Sequence, residues 1–187
     1  ADVGEQHIGF CKNNGLEVVG FLMMSHMAPP AKIVEQAKLF ESYGADMVYV
    51  TDSAGAMVPG DVRERIQAVK EAISLPVGFH GHNNLGLAIG NSLAAIEAGA
   101  VSIDTCVRGL GAGAGNAQLE VLVAVLTKMG YSTGIDLYKA MDVADLLDPM
   151  MHRPQTISNP ALAIGYAGAY GSFLLHAYRA AEKFGVD

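Results

Sequence analysis

Four runs rich in apolar residues lie in the first 130 residues of the chain, at 18–24, 47–51, 76–80 and 101–107. Their starts recur about every 25 to 30 residues, which is the length of a βα unit. The first three runs do not alternate between apolar and polar residues, as is typical of parallel strands that helices cover on both faces. The pattern therefore predicts four buried parallel strands.

Segments with apolar residues at helical spacing lie before, between and after these runs. The predicted helices cover 2–14, 30–43, 61–73, 85–97 and 117–129. Proline opens the second helix and Gly44 closes it, as is common at helix ends. Because strands joined in this way form either a barrel or an open doubly wound sheet, the pattern alone leaves both architectures open.

The pattern changes after Gly130. A helix is predicted over 136–147, and a long apolar stretch over 160–184 carries glycines at 165, 168 and 171. Small residues on a helix allow another element to approach closely. We therefore expect two parts, a βα domain over 1–130 and an all-helical segment over 131–187.

Composition limits the class of protein. The chain has 187 residues, whereas a complete eight-unit barrel needs roughly 250. A formal net charge of −7 argues against nucleic acid or an anionic membrane as partner. No apolar run approaches the roughly 20 residues of a membrane span.

Cys11 and Cys106 lie far apart without a CxxC spacing, which favours a reducing cytoplasm. The first residue is Ala1, so we expect an internal piece of a longer protein.

A His-x-His motif ends the third apolar run. Side chains alternate along a strand, so His80 and His82 are predicted to share a face about 7 Å apart. Two imidazoles on one face can bind a metal ion. An isolated His-x-His is more often chance than a metal site. This one, however, follows a buried strand and precedes a helix, where α/β barrels place their active sites.

Several segments together resemble the 4-hydroxy-2-oxovalerate aldolases, which belong to a superfamily of metal-dependent barrel enzymes that includes HMG-CoA lyase and isopropylmalate synthase. The segments are 20–27, 52–53, 80–85, 109–120, 165–170 and 172–174. The resemblance covers essentially the whole chain. It implies an α/β fold, the C-terminal half (the last four βα units) of a TIM (β/α)₈ barrel, followed by a helical tail that begins a communication domain.

The same resemblance implies a carbon–carbon lyase of aromatic-compound degradation that cleaves 4-hydroxy-2-oxovalerate to pyruvate and acetaldehyde. His80 and His82 match the metal ligands, with Mn²⁺ expected and other divalent ions as alternatives. Ser53, His80 and Tyr170 match substrate-binding residues, and Tyr170 is also implied in catalysis. A third ligand (an Asp), a catalytic His and an Arg are implied in the half that this chain lacks, so the chain alone is expected to be inactive.

The resemblance further implies a partner, an acylating acetaldehyde dehydrogenase that receives the aldehyde through a channel. We expect the part of the tail that carries glycines 165, 168 and 171 to form part of that contact. Arg108 and Asn83 depart from the residues common in relatives, a small residue and a histidine respectively. These departures leave open which aldehyde chain length is preferred.

Ordinary structural roles compete with these assignments. Ser53 could cap a helix or occupy a turn, and Tyr170 could lie in the core of an apolar helix. Asp52 is expected to have a structural role instead of binding metal, and His26 is expected to be a satisfied histidine. The two asparagines at 83 and 84 are expected to cap the following helix.

Other functions remain as alternatives. Gly109, Gly111 and Ala114 fit the loose dinucleotide pattern G-x-G-x-x-A. The next strand with its acidic residue is missing, since Asp136 is predicted to begin a helix. There is no Gly-Lys-Ser/Thr, so a P-loop is excluded. Another lyase or acyltransferase of the superfamily, or an inactive structural half-barrel, are the remaining alternatives.

Overall fold

The computed structural model describes residues 2–186. These residues form two compact units. The first contains the residues up to Ser53, then Met57–Gly81 and Gly90–Asp104, and the second contains Ala54–Ala56, His82–Ile89 and the residues from Thr105 onward. No helix in this described part is both long and apolar enough to cross a membrane.

A four-stranded sheet organises the first unit. Its strands are β1 (Val19–Leu22), β2 (Met47–Asp52), β3 (Val77–Gly81) and β4 (Ser102–Asp104). All three pairings are parallel and the order along the sheet is β1-β2-β3-β4. The prediction of four parallel strands is confirmed, although β4 is shorter than its apolar run.

The helices predicted before and between the strands are also confirmed. They are α1 (Asp2–Asn13), α2 (Pro30–Ser42), α3 (Pro59–Ala72) and α4 (Ala88–Glu97). Proline begins both α2 and α3. Its missing N–H costs nothing there, because the N–H groups of the first helical turn have no partner within the helix. At the start of α3 the Asp61 carboxylate also accepts a hydrogen bond from the Val58 N–H at 3.0 Å.

The core lies on one face of the sheet. Partner residues of parallel strands project to the same side, so Leu22, Val50 and Phe79 share this face. They belong to one buried cluster with residues of α2, α3 and α4, among them Ile33 and Ile66. Each fully buried side chain of this size contributes about 1.5–3 kcal/mol. The apolar faces of these helices therefore hold them against the sheet.

The opposite face of the sheet is only partly covered. Val19 and Phe21 of β1 are 44% and 39% exposed, so the predicted coverage of both faces is wrong for this strand. The helical partners of the core cluster all lie on the other side. On the open face the rings of Phe21 and Tyr49 stack with centroids 5.9 Å apart. Tyr49 lies directly across Gly78, and its hydroxyl contacts the Ser102 hydroxyl.

The second unit is mainly helical. Its α-helices are α5 (Leu119–Lys128), α6 (Leu137–Leu147), α7 (Asn159–Ala167) and α8 (Leu174–Phe184). The predicted helical tail is confirmed, but it is divided in two. The division occurs at Gly168, which ends α7 with a left-handed φ of 64°. Glycine adopts this conformation without steric cost, so it commonly ends a helix.

Arg108 ties together three parts of the second unit. Its guanidinium donates to Asp145 at 2.7 Å and to Asp148 at 2.8 and 2.9 Å. Its backbone N–H donates to the Glu120 carboxylate in the first turn of α5. The hydrogen bond to Asp148 raises the pKa of Arg108 and lowers that of the Asp148 carboxyl. The charged side chain at this position therefore links the start of the glycine-rich turn, residues 109–116, to the end of α6.

The close approach of Tyr49 to Gly78 generates a stability prediction. A Cβ atom at position 78 would lie 2.6 Å from the Tyr49 ring. Gly78→Ala is therefore expected to lower the free energy of unfolding by about 1–3 kcal/mol. In a Tyr49→Ala background the same change should cost much less, because the ring is gone.

Urea unfolding of both single variants and the double variant measures this coupling. Gly60→Ala in α3 is the matched control, since a Cβ there meets nothing within 4 Å. Strictly additive losses at Gly78 and Tyr49 would show that the ring is not the cause.

Candidate functional site

His80 lies near the carboxyl end of β3 and forms a close pair with Asp104 of β4. The sheet register places the two residues opposite each other. The His80 Nδ1 atom lies 2.7 Å from the Asp104 Oδ2 atom. An ionised carboxylate can only accept a hydrogen bond, so Nδ1 is the protonated nitrogen and donates. Histidines that bind metal commonly have this arrangement, with a carboxylate on the nitrogen that does not bind the ion.

Asp104 was missed by the sequence analysis. It ends the fourth strand, and the parallel arrangement was itself predicted. The sequence did contain a signal for it, namely an acidic residue at the end of the strand that follows the histidine motif. The largely buried His80 ring also meets Phe21 edge-on, with ring centroids 5.2 Å apart. The imidazole is therefore held between a carboxylate and an aromatic ring.

Ser53 follows β2 and supports the turn after β1. Its buried Oγ atom accepts a hydrogen bond from the Met24 N–H at 2.9 Å and lies 3.4 Å from the Thr51 hydroxyl oxygen. Met24 has a φ of 59°, a left-handed conformation that is uncommon outside glycine. Ser53 does not cap α3, which begins at Pro59. Of the two structural alternatives, the structure shows that Ser53 stabilises a turn. Its substrate-binding role stays a prediction.

Asp52 and His26 have structural partners. Asp52 is fully buried, and its Oδ2 atom accepts a hydrogen bond from the Met57 N–H at 2.9 Å. Its Oδ1 atom lies 3.9 Å from the Nδ1 atom of His26, whose side chain is also buried. The expected structural role of Asp52 is confirmed, since its carboxylate fixes the turn between β2 and α3.

His82 belongs to the second unit and lies beyond the end of β3. The strand ends at Gly81, so of the two histidines only His80 lies within it. The shared face of the two imidazoles stays a prediction. His82 instead forms an isolated antiparallel bridge with Asn116 at the end of the glycine-rich turn. The backbone at His82 is therefore held by this turn.

Asn116 brings an oxygen atom into the same part of the second unit. Its Nδ2 atom donates to the Leu110 carbonyl at 2.9 Å and to the Cys106 Sγ atom at 3.1 Å. Its Oδ1 atom is buried and has no hydrogen-bond partner among the residues that the structure describes. A buried oxygen without a donor is a candidate ligand for a hard cation.

The two asparagines after the motif have different roles. The Asn83 Oδ1 atom accepts a hydrogen bond from the Ala88 N–H at 3.1 Å, so its predicted capping role is confirmed. The prediction for Asn84 is wrong. Its side chain is buried, donates to the Ala54 carbonyl and accepts from the Ala114 N–H. It therefore connects loops instead of capping α4.

Tyr170 lies between α7 and a 3₁₀ turn over Gly171–Phe173. It was predicted on an apolar helix, which is wrong because α7 ends at Ala167. Its ring meets the Phe173 ring edge-on at 6.0 Å and is partly exposed. The core alternative therefore does not hold, and the catalytic role of Tyr170 stays a prediction.

The described residues contain no group of three or more His, Cys, Asp or Glu side chains that could hold a metal ion. They offer individual ligands only. The dinucleotide alternative is not supported either. The last strand of the sheet is β4, and α5 and α6 follow the glycine-rich turn without a further strand in the described part.

Comparison with known proteins agrees with this fold. The HMGL-like family matches residues 1–147, and a DmpG-like communication domain matches residues 155–187. The HMG-CoA lyase from Brucella melitensis superposes with a TM-score of 0.74 over 80% of this chain and 57% of its own, at 24% identity.

Two curated relatives are much closer in sequence. The 4-hydroxy-2-oxovalerate aldolase of Carboxydothermus hydrogenoformans is 71% identical over the whole of this chain, which covers 56% of that protein. The corresponding aldolase of Moorella thermoacetica is 65% identical, with the same coverage of both chains. The chain thus spans about half the length of the curated relatives it matches, and the resemblance inferred from its motifs is confirmed. Since the matching family covers residues 1–147, including the whole parallel sheet and both histidines of the motif, the chain belongs to the HMGL-like family.

Proposed function

We propose that the chain is part of a carbon–carbon lyase that cleaves 4-hydroxy-2-oxovalerate to pyruvate and acetaldehyde. The observation that carries the proposal is the His80–Asp104 pair at the end of β3 and β4. Relatives that are 71% and 65% identical bear the name of this aldolase, which supports the choice of substrate. We further propose that the four βα units are the second half of a TIM barrel. The partly open sheet face with Phe21 and Tyr49 would then face its interior.

The available ligands fit a divalent cation, for which we propose Mn²⁺. His80 and His82 would bind it with their imidazoles, His80 through Nε2 because Nδ1 donates to Asp104. The buried Asn116 Oδ1 atom is an additional oxygen donor. Imidazole and oxygen ligands are compatible with a divalent ion of the first transition series. When bound, the ion supplies positive charge that stabilises the enolate oxygen formed during cleavage.

The reaction breaks the bond between C3 and C4 of the substrate. The 4-hydroxyl group loses its proton and becomes the aldehyde carbonyl, while the electron pair of the broken bond forms the pyruvate enolate. Protonation of this enolate at C3 gives pyruvate. In this scheme the Ser53 hydroxyl donates a hydrogen bond to the substrate carboxylate, and Tyr170 closes over the bound molecule. The base for the 4-hydroxyl proton is not among these residues.

We also propose that acetaldehyde passes to an acylating acetaldehyde dehydrogenase. The match of residues 155–187 to a communication domain supports a partner at the tail. Its helix α8 leaves large apolar side chains exposed, with Leu175 at 66% and Phe184 at 69%. A small reactive aldehyde would otherwise be lost to solvent, so direct transfer has a chemical advantage.

The metal assignment is tested with Mn²⁺ and the intact protein. His80→Ala and His82→Ala should each weaken Mn²⁺ binding in calorimetry and nearly abolish pyruvate release from 4-hydroxy-2-oxovalerate. Asp104→Ala should lower Mn²⁺ affinity by about 10–100-fold, because the His80 ring loses its orientation.

The exposed His7 in α1 provides the control, since His7→Ala should change neither measurement. Unchanged Mn²⁺ affinity in both histidine variants would refute the site. Cleavage of HMG-CoA instead of the hydroxy-oxo acid would favour another lyase of the superfamily.

The substrate role of Ser53 is tested by Ser53→Ala. If its hydroxyl binds the substrate carboxylate, the loss should be roughly 1.5–3 kcal/mol, or about tenfold or more in KM. The variant also loses the bond from the Met24 N–H, so its thermal stability should fall as well. Ser25→Ala separates the two effects, because the buried Ser25 hydroxyl bonds to backbone groups, donating to the Leu22 carbonyl and accepting from the Thr51 N–H. That control should lose stability at unchanged KM, and an equal KM in both variants would contradict the assignment.

The partner contact is tested at Tyr170 and Gly171. Tyr170→Phe removes a hydroxyl, so turnover should change while co-elution with the dehydrogenase is retained.

Gly171→Trp should weaken co-elution, because a side chain there meets nothing within 4 Å and would project outward. Position 168 is less suitable, since its left-handed φ would strain any side chain. Gly9→Trp in α1, also unobstructed, is the control. Normal co-elution of the Gly171 variant would place the interface elsewhere.

A further inference from the structure

Asn84 is the polar side chain that joins three loop segments of the second unit. It is only 2% exposed. Its Nδ2 atom donates to the Ala54 carbonyl at 2.9 Å, and its Oδ1 atom accepts from the Ala114 N–H at 2.8 Å. The first partner follows β2 in the chain and the second lies in the glycine-rich turn. The loop after β3 is therefore linked by one side chain to both other loops.

The backbone on either side of Asn84 makes the same two connections. The Asn83 N–H donates to the Gly115 carbonyl at 2.8 Å, and the Leu85 N–H donates to the Gly55 carbonyl at 3.2 Å. Three consecutive residues thus bind the same pair of segments. His82 precedes them directly and pairs with the far end of the glycine-rich turn. Its backbone position consequently depends on these hydrogen bonds.

Glycines leave the space that Asn84 occupies. A Cβ atom at Gly113 would lie 2.5 Å from the Asn84 Oδ1 atom. A Cβ atom at Gly165, inside α7, would lie 2.9 Å from the Asn84 Cβ atom and 3.2 Å from its backbone carbon. The first helix of the tail therefore packs directly against the histidine-bearing loop. Because even one added Cβ atom would not fit between them, α7 cannot move closer to Asn84 without a steric clash.

The chemistry of the site requires an amide at position 84. One partner is a carbonyl, which needs a donor, and the other is an N–H, which needs an acceptor. A carboxylate cannot donate and an aliphatic side chain can do neither, so each would leave a buried backbone group unpaired at a cost of about 1–3 kcal/mol. Asparagine provides both functions on a short side chain.

From these contacts we infer that Asn84 is a positioning residue that fixes His82 for metal binding and joins its loop to α7. The inference rests on the proposed metal function of His82. It assigns to the tail an effect on the metal site through a defined packing contact. A merely structural asparagine would affect the stability of the protein but not the metal affinity of the folded state.

The test measures Mn²⁺ affinity and thermal stability of the intact protein in parallel. Asn84→Asp should weaken Mn²⁺ binding about 10-fold or more, the size of effect typical of residues that orient a metal ligand. Asn91→Asp is the matched control. Asn91 is 1% exposed and its Nδ2 atom donates to the Met57 carbonyl at 2.8 Å in the first unit. It should lose thermal stability at unchanged Mn²⁺ affinity.

A second pair of variants leaves the hydrogen-bonding groups in place. Gly165→Ala should push on Asn84 from α7 and weaken Mn²⁺ binding, whereas Gly90→Ala in α4, where a Cβ meets nothing within 4 Å, should not. Wild-type affinity in Asn84→Asp and Gly165→Ala would overturn the inference and leave the proposed function intact. Failure of the wild-type protein to bind Mn²⁺ would overturn both.

Discussion

The parallel, in-register pairing of the four strands is the constraint on which the candidate site depends. Each strand of the sheet ends at the same edge, so the residues that close the strands become neighbours although they are about 25 to 30 positions apart in the chain. His80 meets Asp104 in this way, through the register of β3 and β4. Side chains that follow the strands, such as Ser53, then bind backbone groups of the adjacent turns. The carboxyl ends of parallel strands are where α/β enzymes generally hold their ligands.

Polar groups at this edge stabilise the turns that follow the strands. Ser53 holds the left-handed Met24, and Asp52 fixes the turn that leads to Met57. These buried contacts stabilise turns that apolar side chains cannot stabilise, because backbone N–H groups need acceptors. A substitution at Ser53 therefore weakens the turn, and it would also remove the substrate contact that we propose for this residue. Controls of equal burial, such as Ser25, are needed to distinguish the two.

The strands and helices could be predicted from the sequence, but some of their boundaries could not. Apolar runs that recur about every 25 to 30 residues predicted all four strands. The start of α4 was placed three residues too early, because the Asn83 side chain accepts from the Ala88 N–H and sets the first turn there. The strand β4 ends before its apolar run does, since the Cys106 N–H donates to the Ala117 carbonyl within the second unit. Contacts between distant residues decided both boundaries.

Only those residues of the candidate site that belong to a recognisable sequence motif could be predicted. The His-x-His spacing and the resemblance identified His80 and His82. Asp104 was not found, because pairing with His80 is a property of sheet register. Asn84 was predicted as a cap, since two asparagines before a helix look equivalent in sequence. They differ only in space, where one meets the helix N-terminus and the other meets two loops.

The length of β4 has a dynamic consequence. This strand has three residues, and His80 and Asp104 form the last pair of its ladder with β3. The ends of short strands open locally at a small fraction of the free energy of global unfolding. Each such opening separates the carboxylate from the imidazole and lets the ring rotate. The local opening equilibrium of these three residues thus sets the fraction of molecules in which the carboxylate holds the imidazole in one orientation, and amide exchange at the end of β4 is sensitive to this equilibrium.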